Sequence, residues 1–264
     1  MPAAAAVAGL VLHAMDRDPP PFESERKAQW GIRSIHAGAA HARGLTGKGV
    51  TVAVIDSGLD TSHPDLAGRI ASGGLNFLVD QGPGDLTDRD GHGTHVAGII
   101  AANRDGAGMH GVAYGARILP IRLIDAVEGN TTENLVAAVR HSAAAGAGVV
   151  NGSFGPVFAE GTLSHPLTGD DAREAAAYIE AAREDVVMVF AAGNDGLFLP
   201  ELSAHPTGAG LFPYVRPEHA ATGIYEDAGA GYDFSELRGN LLAVVAVDEN
   251  NAITDWSNHC GVAA

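Results

Sequence analysis

From residue 49 onward, short apolar runs alternate with stretches of helical period. Val50–Ile55 reads as an apolar strand buried on both faces. His92–Ala102 carries Val96, Ile99 and Ile100 at i, i+3, i+4 spacing, which predicts a helix with those residues inward. Arg117–Ile124 is a second strand. Thr131 is placed to cap a helix running to about Ala145, with Leu135, Ala138 and Val139 inward and Gly146 as its stop. Val149–Val150 begins another strand. Thr168 or Asp170 opens a helix with Ala175, Tyr178, Ile179 and Ala182 on one face. Val186–Phe190 and Leu242–Val247 read as two further buried strands. Residues 197–240 hold Gly, Pro and His without clear period and read as a long surface excursion. Such alternation predicts an α/β fold, three layers deep, with a mostly parallel sheet covered by helices on both faces. Ligands of open parallel sheets sit beyond the carboxyl ends of the strands, and Asp56 stands at such an end.

Length fits one large domain, since a single core can grow to roughly 250–300 residues. The 46% of apolar residues can supply that core. A net charge of −16 argues against DNA or RNA as a partner, because neutralising phosphates takes clustered Lys and Arg. Residues 1–15 contain the short apolar run Ala3–Leu12, too short to span a bilayer and lacking a basic start; they read as a clipped or atypical export signal. Residues 16–28, with Pro19-Pro20-Pro21 and many charges, read as an extended linker, leaving 29–264 as the folded domain. Cys260 is the only cysteine, so no internal disulfide forms. It is either a small buried hydrophobe or half of a bridge to a partner outside the chain, and the second reading is preferred.

Two segments carry candidate chemistry. Asp56 follows the apolar run and would be a carboxylate at the edge of a dry core, where it needs donors such as an imidazole N–H; Ser57 could supply another. His92 lies between Gly91 and Gly93 at a helix start, where the glycines leave its ring uncrowded and let backbone approach closely. Acyl transfer from a peptide needs such a base, a carboxylate that orients it, a nucleophilic hydroxyl, and donors for the oxyanion. Each residue alone also has a structural reading: Asp56 as a turn or capping residue, His92 as a structural histidine. His92 and His95 could instead share a metal, but no cysteine or carboxylate flanks them at ligand spacing; His95 is expected to face the sheet.

Taken together, Val52-Ala-Val-Ile-Asp56-Ser-Gly-Leu-Asp60-Thr-Ser-His-Pro-Asp65-Leu, Gly91-His92-Gly-Thr-His-Val-Ala-Gly98 and Phe190-Ala-Ala-Gly193-Asn194-Asp-Gly196 resemble the subtilisin-like serine proteases, the subtilases, in composition, order and spacing. Gln29-Trp-Gly-Ile, Gly47-Lys-Gly-Val50 and Val149-Val-Asn-Gly-Ser153-Phe-Gly155 fit too, so the resemblance covers residues 29–264. It implies a subtilisin-like fold and peptide-bond hydrolysis without a catalytic cofactor. Asp56 would be the orienting carboxylate, His92 the general base and Asn194 the oxyanion donor, although Asn194 also reads as a turn residue before Asp195-Gly196. The resemblance implies substrate pairing along Ser153, Phe154 and Gly155, an opposing wall at Ala192 and Gly193, and a second pairing edge at Gly129. Asp65 and Asp105 resemble ligands of a structural calcium, with the loop Ala102–Gly111 able to add carbonyls; an Arg stands at position 26, where a further ligand is expected.

The nucleophile of this family follows Gly-Thr and precedes Met-Ala or Phe-Ala at the start of a buried helix. No such segment follows Asn194: Ser203, Ser235 and Ser257 lack both the turn before and the helix after. The expectation is therefore a fragment with acid and base but no nucleophile, inactive as written, whose sheet exposes the apolar surface that the helix would cover. The alternative is a non-catalytic, peptide-binding pseudoprotease. Asn240–Asp248 and Ser257-Asn-His-Cys260-Gly are similar to subtilases of the bacterial autotransporter type. That would imply a secreted or cell-surface protein, with the membrane reached only through an outer-membrane barrel beyond this chain.

Overall fold

The computed structural model describes residues 29–78, 82–124, 131–154, 169–196, 234–237 and 239–259. The expectations for residues 1–28, Gly129, Gly155, Ser203 and Cys260 fall outside these. Two short helices, α1 (Trp30–Ser34) and α2 (Ala37–Ala42), precede β1 (Thr51–Asp56). There follow β2 (Leu75–Asn76), α3 (His92–Ala101), β3 (Arg117–Arg122), α4 (Thr132–Ala144), β4 (Val149–Gly152), α5 (Gly169–Arg183), β5 (Val187–Ala191) and β6 (Leu241–Val244). The strands form one sheet in the order β2-β3-β1-β4-β5-β6, and every pairing between them is parallel. No helix among the described residues is long and apolar enough to cross a membrane.

Alternation along β1 sends its side chains to two cores, as the pleat requires. Ala53 and Ile55 join Leu119, Ile121, Val139, Tyr178 and Phe190 under α4 and α5. Val52 and Val54 join Val96, Ala97, Ala101 and Ile118 under α3. Both faces of β1 are thus buried, which is why its sequence is apolar without a break. Helix α4 starts as expected: Thr131 is its N-cap, and the Thr131 hydroxyl accepts from Asn134 N–H at 3.2 Å. In α5 the buried stripe is wider than predicted, running from Ala175 to Ile179 and on to Ala181 and Ala182.

Two expectations about faces are corrected. In α3 the buried residues are Gly93, Val96, Ala97 and Ala101, while Ile99 is 45% exposed and His95 is exposed. Small residues form the inward face here because the helix lies close to the sheet, so the bulkier residues turn outward. The last strand is the other correction. It spans Leu241–Val244 rather than Leu242–Val247, and it lies at the sheet edge. Leu241 enters the core under α5, but Leu242 and Val244 are each 53% exposed. They share a face with Val189 and Ala191 of β5 through the register Val189↔Leu242 and Ala191↔Val244. Helix α3 covers the corresponding face over β1 and β3, and among the described residues no helix covers it over β5 and β6.

Candidate active site

The sheet register brings the candidate segments to one level. Ile55 lies opposite Gly152, Gly152 opposite Phe190, and Phe190 opposite Ala243. Asp56 and Ala191 therefore end β1 and β5, and Ser153 directly follows β4 between them, at the carboxyl edge of the sheet. Asp56 is 1% exposed. Its Oδ1 accepts from His92 Nδ1 at 2.7 Å and from Ser57 N–H at 2.7 Å. A carboxylate only accepts, so His92 carries a proton on Nδ1, and Nε2 faces outward on a side chain that is 49% exposed. Ser57 supplies the second donor to Asp56, as expected, and does so through its backbone amide.

The Ser57 hydroxyl has a different task. It accepts from Gly93 N–H at 2.9 Å and donates to Asp88 Oδ1 at 2.8 Å. The first amides of a helix lack intrahelical partners, and in α3 side chains take all three: Asp90 accepts from His92 N–H, Ser57 from Gly93 N–H and Asp88 from Thr94 N–H. Asp88 also accepts from Gly91 N–H and the Thr94 hydroxyl. The start of α3 is thereby tied to the end of β1. Contact is so close that a Cβ on Gly93 would lie 2.3 Å from Gly58 O and 3.1 Å from Asp56 Cβ, which restricts the residue after His92 to glycine. On the other side, fully buried Arg122, paired with Asp56 in the β1–β3 register, donates from Nε to Ser57 O at 3.1 Å. Sequence reading missed both Asp88 and Arg122. The signals were an Asp just ahead of the helix start, a capping pattern, and a single charge closing the apolar run Ile118–Arg122, which a buried strand must pair.

Partial burial raises the Asp88 carboxyl, but hydrogen bonds from Thr94, Gly91 and Ser57 outweigh it and hold the group down at about 2. A lowered folded-state value stabilises the native state above the unfolded value of 3.8, and that contribution is lost as the pH falls toward about 2. Asp88→Ala is accordingly expected to lower stability by about 1 kcal/mol at neutral pH, the usual worth of a helix cap. It should also flatten the decline between pH 4 and 2, as measured by thermal denaturation across that range.

The oxyanion-side candidates lie at the end of β5. Ala192 is buried, and the exposed Asn194 follows Gly193, whose φ is +101°. Ser153, Ala192, Gly193 and Asn194 line one open cleft of about 340 Å³, with Val244 and Trp256 on its apolar side. The Ser153 hydroxyl accepts from Asn151 Nδ2 at 3.0 Å. The Phe154 ring packs edge-on to Phe190 with centroids 6.1 Å apart and is partly buried against the core.

The two metal candidates behave differently. The Asp65 carboxylate faces the 102–111 loop, with Oδ2 placed 3.4 Å from where a Cβ on Gly108 would lie. Asp105 turns inward on its own loop and accepts from Ala107 N–H at 3.1 Å. Among the described residues, no three His, Cys, Asp or Glu side chains gather to hold an ion. Any cation there would depend on Asp65 and loop carbonyls, and no catalytic step passes through it.

The site thus places a buried strand-end carboxylate in hydrogen bond with an imidazole at the start of α3. The model of the subtilase family (peptidase S8) matches residues 47–263, and the chain belongs to that family. Two extracellular serine proteases of Serratia marcescens are 44% and 33% identical to it over 261 and 258 residues, covering 91% and 90% of this chain. The chain spans 24% of the length of each of those relatives. Subtilisin Savinase of Lederbergia lenta is 37% identical over 169 residues, 63% of this chain and 56% of that protein. The crystal structure of the nisin leader peptidase NisP from Lactococcus lactis superposes with a TM-score of 0.61 at 24% identity, covering 88% of this chain and 65% of that one. The chain thus has the subtilisin-like fold.

Proposed function

We propose that this chain carries the acid–base half of an exported serine endopeptidase, with the nucleophile supplied by a segment outside these 264 residues. The observation that carries the reading is the 2.7 Å bond from His92 Nδ1 to the buried Asp56 carboxylate. Fixing Nδ1–H in this way leaves Nε2 as the base that takes the proton of an attacking serine hydroxyl and returns it to the leaving amine. The Asn194 amide, exposed at the turn after β5, donates to the oxyanion that forms. The substrate is a polypeptide held in extended form. Backbone pairing runs along Ser153–Gly155 and, across the cleft, Gly129, while Ala192 and Gly193 wall the pocket for the side chain before the cut. Export is supported by the Serratia relatives, both named as extracellular. Asp65 and the carbonyls of the 102–111 loop would serve a structural calcium only.

Support for a seat for the nucleophile comes from the face of β5 and β6 that no described helix covers. Leu242, Val244 and Trp256 are each more than half exposed, Val244 and Trp256 in the same cleft as the Ala192–Asn194 turn, an arrangement that costs solubility unless an apolar helix covers it. A fluorophosphonate serine probe tests the reading. The 264-residue chain is expected to remain unlabelled, and the gene product extended through a Gly-Thr-Ser helix is expected to label in a His92-dependent manner. Labelling of the unextended chain itself would refute the assignment of the nucleophile. An in-frame stop directly after Ala264 would favour a peptide-binding domain instead.

A further inference from the structure

We infer that Asn258 is the positioning residue for the Asn194 amide, an inference that rests on the proposed role of Asn194. Asn258 is fully buried beneath the Ala192–Asp195 turn and grips it from both sides. Its Nδ2 donates to Ala192 O at 3.1 Å and to Asp195 Oδ2 at 2.9 Å. Its Oδ1 accepts from Asp195 N–H at 3.1 Å, and its own N–H donates to Gly193 O at 3.0 Å. Backbone groups on either side of Asn194 are therefore fixed by one residue, while the Asn194 side chain stays exposed to the cleft. The grip is itself anchored: the Ser257 hydroxyl accepts from Ala246 N–H at 2.9 Å and donates to Asn258 O at 3.1 Å.

The chemistry admits no close substitute. Both N–H groups of the Asn258 amide are used, one on a carbonyl and one on a carboxylate, and its oxygen takes an amide hydrogen. Aspartate cannot donate and would set two carboxylates against each other. A Cβ on residue 193 would lie 2.4 Å from Asn258 Nδ2, so the turn must bring a glycine over the amide, and a longer glutamine has no room. Nothing in the motif around Asn194 indicates this. The partner lies far later in the chain.

Two measurements on Asn258→Ala, Asn258→Asp and the double variant Asn258→Asp with Asp195→Asn test the inference. In the chain as it stands, hydrogen exchange at the Asp195 amide should rise about tenfold in Asn258→Ala, the worth of roughly one lost hydrogen bond. In the gene product that carries the nucleophile, kcat per titrated active site should fall about 10–100-fold with KM within about twofold, as expected for a misplaced donor. Asn258→Asp should be the worst of the three. The double variant should recover part of both readouts, because the side-chain amide that Asp195→Asn introduces can donate to the new carboxylate; this comparison remains informative even if Asn258→Ala folds poorly. Unchanged exchange and unchanged kcat in Asn258→Ala, or no recovery in the double variant, would overturn the inference. Faster exchange in Asn258→Ala together with full activity in Asn194→Ala would instead defeat the role given to Asn194.

Discussion

In the gene product that carries the nucleophile, His92→Ala is expected to remove about 10⁶ from kcat, about 8 kcal/mol of transition-state stabilisation; the size is that of the corresponding loss in a subtilisin. The structure explains why so large an effect should leave folding nearly intact. The His92 ring is half exposed, and its one described side-chain partner is Asp56. Asp56 keeps its bond from Ser57 N–H when the ring is gone, and Asp88, Ser57 and Asp90 keep the start of α3 through backbone amides that alanine also possesses. The melting temperature should therefore move by a few degrees at most, with KM near its original value, because the base acts on the transition state rather than on bound substrate. A steady-state assay on a peptide amide, paired with a thermal melt, checks both halves. A variant that retains more than a tenth of the original kcat would remove His92 from the chemistry.

The strand ending in Asp56, the helix starting at His92 and the parallel sheet were legible because each rests on local pattern. An apolar run ending in Asp56 is a buried strand with a charged end, and Gly-His-Gly before a helical period is a helix start with a free ring. What sequence reading missed depends on partners distant in the chain. Asp88 reaches back 31 positions to Ser57, Arg122 reaches 65 positions to the same residue, and Asn258 reaches 66 positions to the turn after β5. No periodicity reports such bonds, although a charge closing the β3 run did signal that a partner was required. The errors in α3 and β6 have another origin. Apolar spacing shows which residues can be buried, whereas closeness to the sheet made glycine and alanine the inward face of α3, and β6 presents Leu242 and Val244 on a face that no described helix covers.

Asp56→Asn separates two things a carboxylate can do for an imidazole: hold its tautomer and balance its charge. In many sites the amide rotates to donate to the ring and forces the wrong tautomer. Here Oδ1 accepts from both Ser57 N–H and His92 Nδ1, so an NH₂ group at that place would face the Ser57 donor. The asparagine oxygen must therefore stay at Oδ1, and Nδ1–H of His92 is retained. The negative charge is lost, and with it the counter-ion to the imidazolium that forms as the nucleophile gives up its proton. The expected fall in kcat is on the order of 10⁴, the size of the loss when the corresponding carboxylate is removed from a subtilisin, with KM little changed. Nitrogen-15 NMR of the His92 ring distinguishes the causes: a protonated Nδ1 in the variant assigns the loss to charge, and an unprotonated Nδ1 assigns it to tautomer and contradicts the geometry at Ser57. The buried site adds a stability cost, since the new NH₂ takes the place of Oδ2, which has no hydrogen-bond partner among the described residues and gains no acceptor there. Unlike His92→Ala, this variant should therefore lose both activity and a measurable part of its thermal stability, by about 1–3 kcal/mol.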